Sequence, residues 1–223
     1  MTISIEKTVS ETLPELILGG FLISVEVEQS NEELLTLMDD ELKTLEPVLT
    51  PESIREMATV KANKKAYKAL GKDPNRYRPS AESLLRRVAN GKGLYHINNV
   101  VDILNLISVK TGYSICGYDY NTVEGAVVLG KGMEGEPYEG IGRGELNIEN
   151  LPVFRDEKGA FGTPTSDSVR TMVTENTRQF LMIIIGFDDQ AKIEAALDEA
   201  SSLYSKFAKG EEKDRFFIHN ANQ

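Results

Sequence analysis

Residues 180–187 form an unbroken apolar run, and this run constrains the fold more than any other feature of the chain. It is too short to span a bilayer of about 30 Å. It also lacks the one-sided spacing of a surface helix, so it predicts a central strand buried on both faces. Residues 188–208 follow at once with Ile193, Ala196, Leu197, Ala200, Leu203, Tyr204 and Phe207 at helical spacing, predicting a closing helix with one buried stripe. A strand needs neighbours, and residues 20–28 offer one, alternating and β-branched from Ile23.

Helices are predicted between these strands. Ser30 and Glu33 have capping-box spacing ahead of Leu34, Leu37, Leu42 and Leu45. Thr50-Pro51 opens a second helix with apolar positions Ile54, Met57, Ala58, Ala62 and Ala69, ending at Gly71. A third runs from Ser80 to Gly91. A fourth covers residues 98–111, with Val101, Leu104, Ile107 and Ser108 on one stripe and Gly112 as its stop. Residues 113–175 are glycine-punctuated, with short antiparallel strands expected at 126–129, 151–154 and 171–174, and the residues after Ala208 are expected to be loose. The sum is an α+β fold, a largely antiparallel sheet flanked by helices. It reads as a single domain over 1–223, divided into a strand-and-helix layer (1–71), a core (72–187) and a C-terminal helix (188–209).

Charge and chemistry narrow the function. The net charge of −10 argues against nonspecific coating of nucleic acid. Residues 71–110, however, carry 7 basic and 3 acidic groups, a basic band in an acidic chain. Within it, Arg76 and Arg78 bracket Tyr77 on a proline-bounded loop before a helix N-terminus, and Arg86 and Arg87 follow on that helix. Arginine forks fit phosphate oxygens and an aromatic between them can stack on an unpaired base. Equally, these arginines can pair with Asp73, Glu82 or Asp119 and pin the loop. Two histidines, His96 and His219, cannot build a multi-histidine metal site, so zinc is not expected. The one cysteine, Cys116, reads as a buried small hydrophobe. With no basic-then-apolar leader and no internal disulfide possible, the cytoplasm is the expected location.

Residues 97–105 (INNVVDILN), then Gly112, then Gly117-Tyr-Asp-Tyr, Gly125, Gly135-Glu136, residues 154–159 (FRDEKG) and residues 173–181 (VTENTRQFL) occur in this order. They resemble the pattern INNVVDxxN…GxPxHAFDxDxxxG…GE, with its later ADxxG and VTEDTKNVLLE segments. That pattern belongs to the editing, or tRNA-binding, domain built from the third and fourth modules of the bacterial phenylalanyl-tRNA synthetase beta subunit. The resemblance covers roughly residues 72–187, and the whole chain resembles freestanding proteins carrying this domain alone. It implies hydrolysis in trans of the ester joining a wrong amino acid to tRNA, without metal or cofactor, with mischarged aminoacyl-tRNA as partner. Aminoacylation is not expected, since nothing in the chain resembles the catalytic modules.

Carried over residue by residue, the resemblance places Asn98 and Asn99 in the pocket as catalytic candidates. Asp167 joins them, at the position of a glutamate in the family's glycine-rich segment. Cys116 stands where the family has histidine, and Tyr118 and Asp119 replace its Phe-Asp. With Thr163 and Thr165 these are the substrate-binding candidates, and Arg76, Tyr77, Arg78, Arg86 and Arg87 are those for tRNA. For Asn98 a plain helix N-cap is an equal reading.

Overall fold

The computed structural model describes residues 1–219. The apolar run is the strand β9 (Gln179–Gly186), and it lies inside a four-stranded antiparallel sheet. The order is β10 (Glu211–His219), β2 (Ile17–Ser24), β9 and β3 (Ser114–Asp119). Side chains alternate across a strand. Phe180, Met182 and Ile184 therefore enter one core, and Leu181, Ile183 and Ile185 another. Both faces are covered, which is why the run has no polar positions.

On the first face pack α2 (Glu32–Leu45), α5 (Ser80–Ala89), α6 (Asn99–Thr111) and α7 (Gln190–Phe207). On the second lie α1 (Lys7–Thr12), α4 (Ala58–Leu70) and a second sheet. That sheet has the order β1 (Ile3–Ile5), β4 (Val127–Lys131), β7 (Pro152–Asp156) and β8 (Gly159–Gly162), with β1 parallel to β4 and the other pairs antiparallel. A short hairpin, β5 (Glu139–Gly140) with β6 (Gly144–Glu145), stands apart. The α+β class and the largely antiparallel pairing agree with the sequence reading.

Several local expectations are corrected. Residues 211–219 are not loose: β10 pairs with all of β2, setting Phe216 and Phe217 opposite Gly20 and Gly19, while residues 220–223 lie outside the described residues. A Cβ on Gly20 would overlap the Met182 carbonyl and the Phe216 ring, and one on Gly19 would overlap Ile193 and crowd the Phe217 ring, so both glycines make room for the aromatics that close the sheet edge. The strand expected at 20–28 starts earlier and ends at Ser24, after which Val25 N–H turns to Arg178 and Glu26 N–H to Ala208. Asn31, not Ser30, caps α2, accepting from Leu34 N–H at 2.9 Å.

The helix expected from Thr50 to Gly71 is two: α3 (Pro51–Glu56), boxed by Thr50 and Ser53, then α4. Met57 is extended between them (φ −56°, ψ 129°) and resets the helical phase. The buried stripe of α4 is thus Val60, Asn63, Ala66, Tyr67 and Leu70, while Ala58 and Ala69 face water. Residues 171–174 form no strand, because Ser168 and Thr177 hydroxyls accept from Arg170 and Thr174 N–H and curl this segment into turns. The strands β3 and β8, unread in the glycine-rich texture, flank the site described next.

A buried polar cluster as candidate active site

On β3, Cys116 and Tyr118 point toward the second sheet, while Gly117 lies against Leu104 and Phe180 on the helix side. The Tyr118 ring meets Phe161 edge-on at 4.8 Å and Phe154 at 6.1 Å. Its hydroxyl ends against the backbone of Gly162, where any Cβ would overlap it. Beyond Gly162 the chain folds tightly: Thr163 Oγ1 accepts from the N–H groups of Thr165 and Ser166, both at 3.1 Å, and donates to Ser166 C=O at 3.0 Å. Two tyrosines clamp this turn. Tyr67 of α4 meets Thr165 Oγ1 at 2.9 Å, and Tyr138 donates to Ser166 C=O at 2.6 Å.

The turn delivers Asp167 to the middle of the group. Its Oδ2 accepts from Gly117 N–H at 3.1 Å, and Cys116 and Tyr118 lie beside the carboxyl. Neither its buried Oδ1 nor the Tyr118 hydroxyl makes a well-aligned hydrogen bond, although Tyr118 and Cys116 stand close enough for their protons to favour the carboxylate. Desolvation pushes the Asp167 carboxyl up to about 7, against the pull of the donors around it. Burial likewise raises Cys116, Tyr118, Tyr67 and Tyr138, and the Asp167 charge adds to it for Cys116, Tyr118 and Tyr138. These groups stay protonated at neutral pH, so Asp167 alone is poised to exchange a proton there. A neutral phenol beside a half-ionised carboxyl can donate to an oxyanion while the carboxyl takes a proton from water.

The structure brings together Cys116, Tyr118, Thr163, Thr165 and Asp167 of the residues singled out in the sequence. It does not bring Asn98 and Asn99 to them. Asn98 caps α6, accepting from Val101 N–H at 2.9 Å. Asn99 accepts from Glu28 N–H and donates to the carbonyls of Glu26 and Phe207, tying three segments together on the helix side. Asp119, at the end of β3, is taken up by the Thr177 hydroxyl at 2.8 Å and Asn121 N–H at 3.1 Å.

The basic band adjoins the cluster through the start of α5, where Ser80 N–H donates to Pro164 C=O at 2.7 Å. Its arginines are partly committed. Arg78 and Arg86 approach the buried Glu82 at 3.6 and 2.9 Å, joined by Lys64 at 3.4 Å, and Arg87 stacks on Tyr95. Asp73 and Asp119, the other pairing candidates, instead accept from Asn75 N–H and from Asn121 N–H and the Thr177 hydroxyl. Three cations share one carboxylate, so the patch keeps a surplus of positive charge. Arg76 is exposed beside Tyr77, whose ring also carries Lys72 Nζ at 3.7 Å.

Tyr67, Tyr138 and Arg143 were not among the residues read from sequence. Arg143 is exposed at the tip of the β5–β6 hairpin, close enough to Tyr67 for its charge to act on it. Only the corrected phase of α4 reveals Tyr67 as a buried polar residue in an apolar stripe. No group of acidic, histidine or cysteine side chains among the described residues is arranged to hold a metal ion, and no helix among them is long and apolar enough to cross a membrane.

No curated protein matches the chain. Among solved structures, an N-terminal fragment of the phenylalanyl-tRNA synthetase beta subunit from Pyrococcus horikoshii shares the fold, with a TM-score of 0.50 at 11% identity. The match covers 97% of this chain and 54% of that one, so the chain spans about half the length of the fragment. The family described as B3/4 domain matches residues 62–217, which include the whole polar cluster and the basic band. The chain belongs to the B3/4 domain family.

Proposed function

We propose that this B3/4 domain acts in the cytoplasm and hydrolyses, in trans, the ester of a mischarged aminoacyl-tRNA, with Asp167 as general base. One observation carries the reading: a carboxyl raised to about 7 by burial, with one buried oxygen and the adjacent Tyr118 hydroxyl both outside any well-aligned hydrogen bond. Unsatisfied buried polar groups are costly and concentrate where a ligand completes them. In the reaction Asp167 takes a proton from water, and the hydroxide adds to the ester carbonyl. The Tyr118 hydroxyl donates to the developing oxyanion. Collapse expels the ribose oxygen, which recovers the proton, leaving a free amino acid and a tRNA hydroxyl. Arg76 and the surplus-positive patch of Lys64, Arg78 and Arg86 are the contacts assigned to tRNA phosphates. Asn98 and Asn99 hold the scaffold.

The test is deacylation of a panel of correctly and wrongly charged tRNAs. One mischarged species is expected to lose its amino acid faster, and Asp167→Asn to cost about a hundredfold or more. Asn98→Ala is expected to leave the rate of folded enzyme unchanged. Turnover that survives Asp167→Asn removes the assigned base.

A second reading has its own observation. Cys116, Tyr118, Tyr138, Thr163 and Thr165 are all buried, so the chain also fits a non-catalytic module that binds tRNA or an amino acid. Saturable binding without turnover of any charged tRNA selects this reading. A steep loss of affinity with salt identifies phosphate contacts.

A further inference from the structure

The buried Oδ1 of Asp167 meets a ligand only if its surroundings move, and the elements around it differ greatly in how firmly they are held. On one side lie β3 and β9, central in a sheet with both faces packed, and on another lie α4 and the second sheet. The β5–β6 hairpin, residues 139–145, lies along the backbone of residues 166–168 that carries Asp167. All of its residues but Gly140 are exposed, and Ile141 leaves its side chain in water. Few contacts attach it: Ile141 N–H donates to Asp167 C=O at 2.9 Å, a single bridge joins Gly140 to Ser168, and Ser166 Oγ reaches Ile141 C=O at 3.5 Å. Its base is latched by Tyr138, through the hydroxyl on Ser166 C=O.

The hairpin is also internally weak. Glu139 and Glu145 stand directly opposite each other, a like-charge pair that opposes the ladder. Gly142 and Gly144 are left-handed (φ +67° and +69°) with nothing within 4 Å of where a Cβ would lie. These glycines supply turn geometry without packing. A cleft of about 540 Å³ already runs along the outer side, between Glu139 and Glu145 on the hairpin and Gly159 and Ala160 on β8. Tyr138 and Ser168 form part of its wall, and behind them lies Asp167.

We propose that the hairpin of residues 139–145 is a hinged cover over the Asp167 cluster, latched by Tyr138, whose opening extends this cleft inward to the carboxyl. Such local opening draws on the least stable part of a structure and proceeds without global unfolding. The inference concerns access alone, so it stands whatever the site accepts.

The chain carries its own probe. Cys116 is the one cysteine, buried inside the cluster and protonated there, so it is alkylated only when the cover is open. The experiment follows iodoacetamide labelling of Cys116 by mass spectrometry in the native full chain, alongside urea unfolding of each variant. Gly140→Cys/Ser168→Cys joins the bridged pair by a disulfide. This tether is expected to slow labelling by about tenfold or more, with reduction restoring the rate. Tyr138→Phe removes the latch, and loss of one hydrogen bond is expected to speed labelling about fivefold. Glu145→Lys replaces repulsion with attraction and is expected to slow it about twofold. Labelling that ignores both the tether and the latch overturns the proposal. So does labelling that follows global unfolding in every variant.

Discussion

Two aspartates, one on each side of the long sheet, are held in opposite ways. On the helix side, Asp102 is wholly buried, yet both oxygens are used: Ile97 N–H donates to one at 2.8 Å and the Ser30 hydroxyl to the other at 2.6 Å. Asn99 satisfies three backbone groups from distant segments. On the sheet side, Asp167 has one well-aligned donor, Gly117 N–H at 3.1 Å, and neither its Oδ1 nor the Tyr118 hydroxyl makes a well-aligned hydrogen bond. A buried polar group with every partner present holds a fold together. One left unpartnered costs stability, which makes it a candidate for work on something absent from the chain. Fold and site are thus separated by a single strand, β3.

The largest expected effect breaks or confirms this contrast directly. Asp167 has its folded pKa raised to about 7, above the ordinary carboxylate value. Below about pH 4 both states hold the proton and Asp167 has no charge to bury. As pH rises toward 7 the unfolded chain ionises first, the folded state holds more protons, and stability falls; above 7 the loss levels off. Asp167→Asn stays neutral throughout. The variant is therefore expected to gain on wild type across this window, by on the order of 4 kcal/mol at pH 8. Urea titrations at pH 4, 6 and 8 measure it, and curves that stay parallel would remove the strained carboxyl.

On the helix side the sign reverses. Asn99→Ala strands Glu28 N–H and the carbonyls of Glu26 and Phe207, and is expected to destabilise by about 3 kcal/mol with no pH dependence of its own. Asn98→Ala removes only an N-cap and is expected to cost about 1 kcal/mol. If Asn98→Ala instead leaves stability alone and abolishes turnover, the separation of scaffold from site fails.

The same contrast explains what the sequence could reveal. The two-faced strand β9, the helix α6 from Asn98 to Gly112 and the closing helix were legible because periodicity and caps are local signals. The Asp167 cluster was legible in part: Cys116, Tyr118, Thr163, Thr165 and Asp167 came from family resemblance, while composition showed only glycine-rich texture. Tyr67 was hidden by the extended Met57, since one residue out of helical phase moved the whole buried stripe of α4. The strand β10 was hidden because its signal is relational. Phe216 and Phe217 matter only when set against Gly20 and Gly19, nearly 200 residues earlier. Whether Asn99 serves a ligand or three carbonyl and amide groups is likewise fixed by tertiary neighbours alone.

The smallest expected effect sharpens the comparison at the basic band, which borders both regions. Glu82 is 1% exposed and faces three cations, of which Arg78 is the most exposed at 43% and the most distant at 3.6 Å. Arg78→Ala leaves Lys64 and Arg86 to neutralise Glu82, so stability is expected to change by less than about 0.5 kcal/mol, as for a solvated ion pair. Arg86→Ala removes the closest partner, at 2.9 Å, and is expected to cost more. If the surplus charge is there for phosphate, Arg78→Ala weakens tRNA binding and lowers its salt slope by about 1 while the protein remains as stable as before. A variant that loses stability without changing the salt slope would assign Arg78 to the scaffold, on the same footing as Asn99.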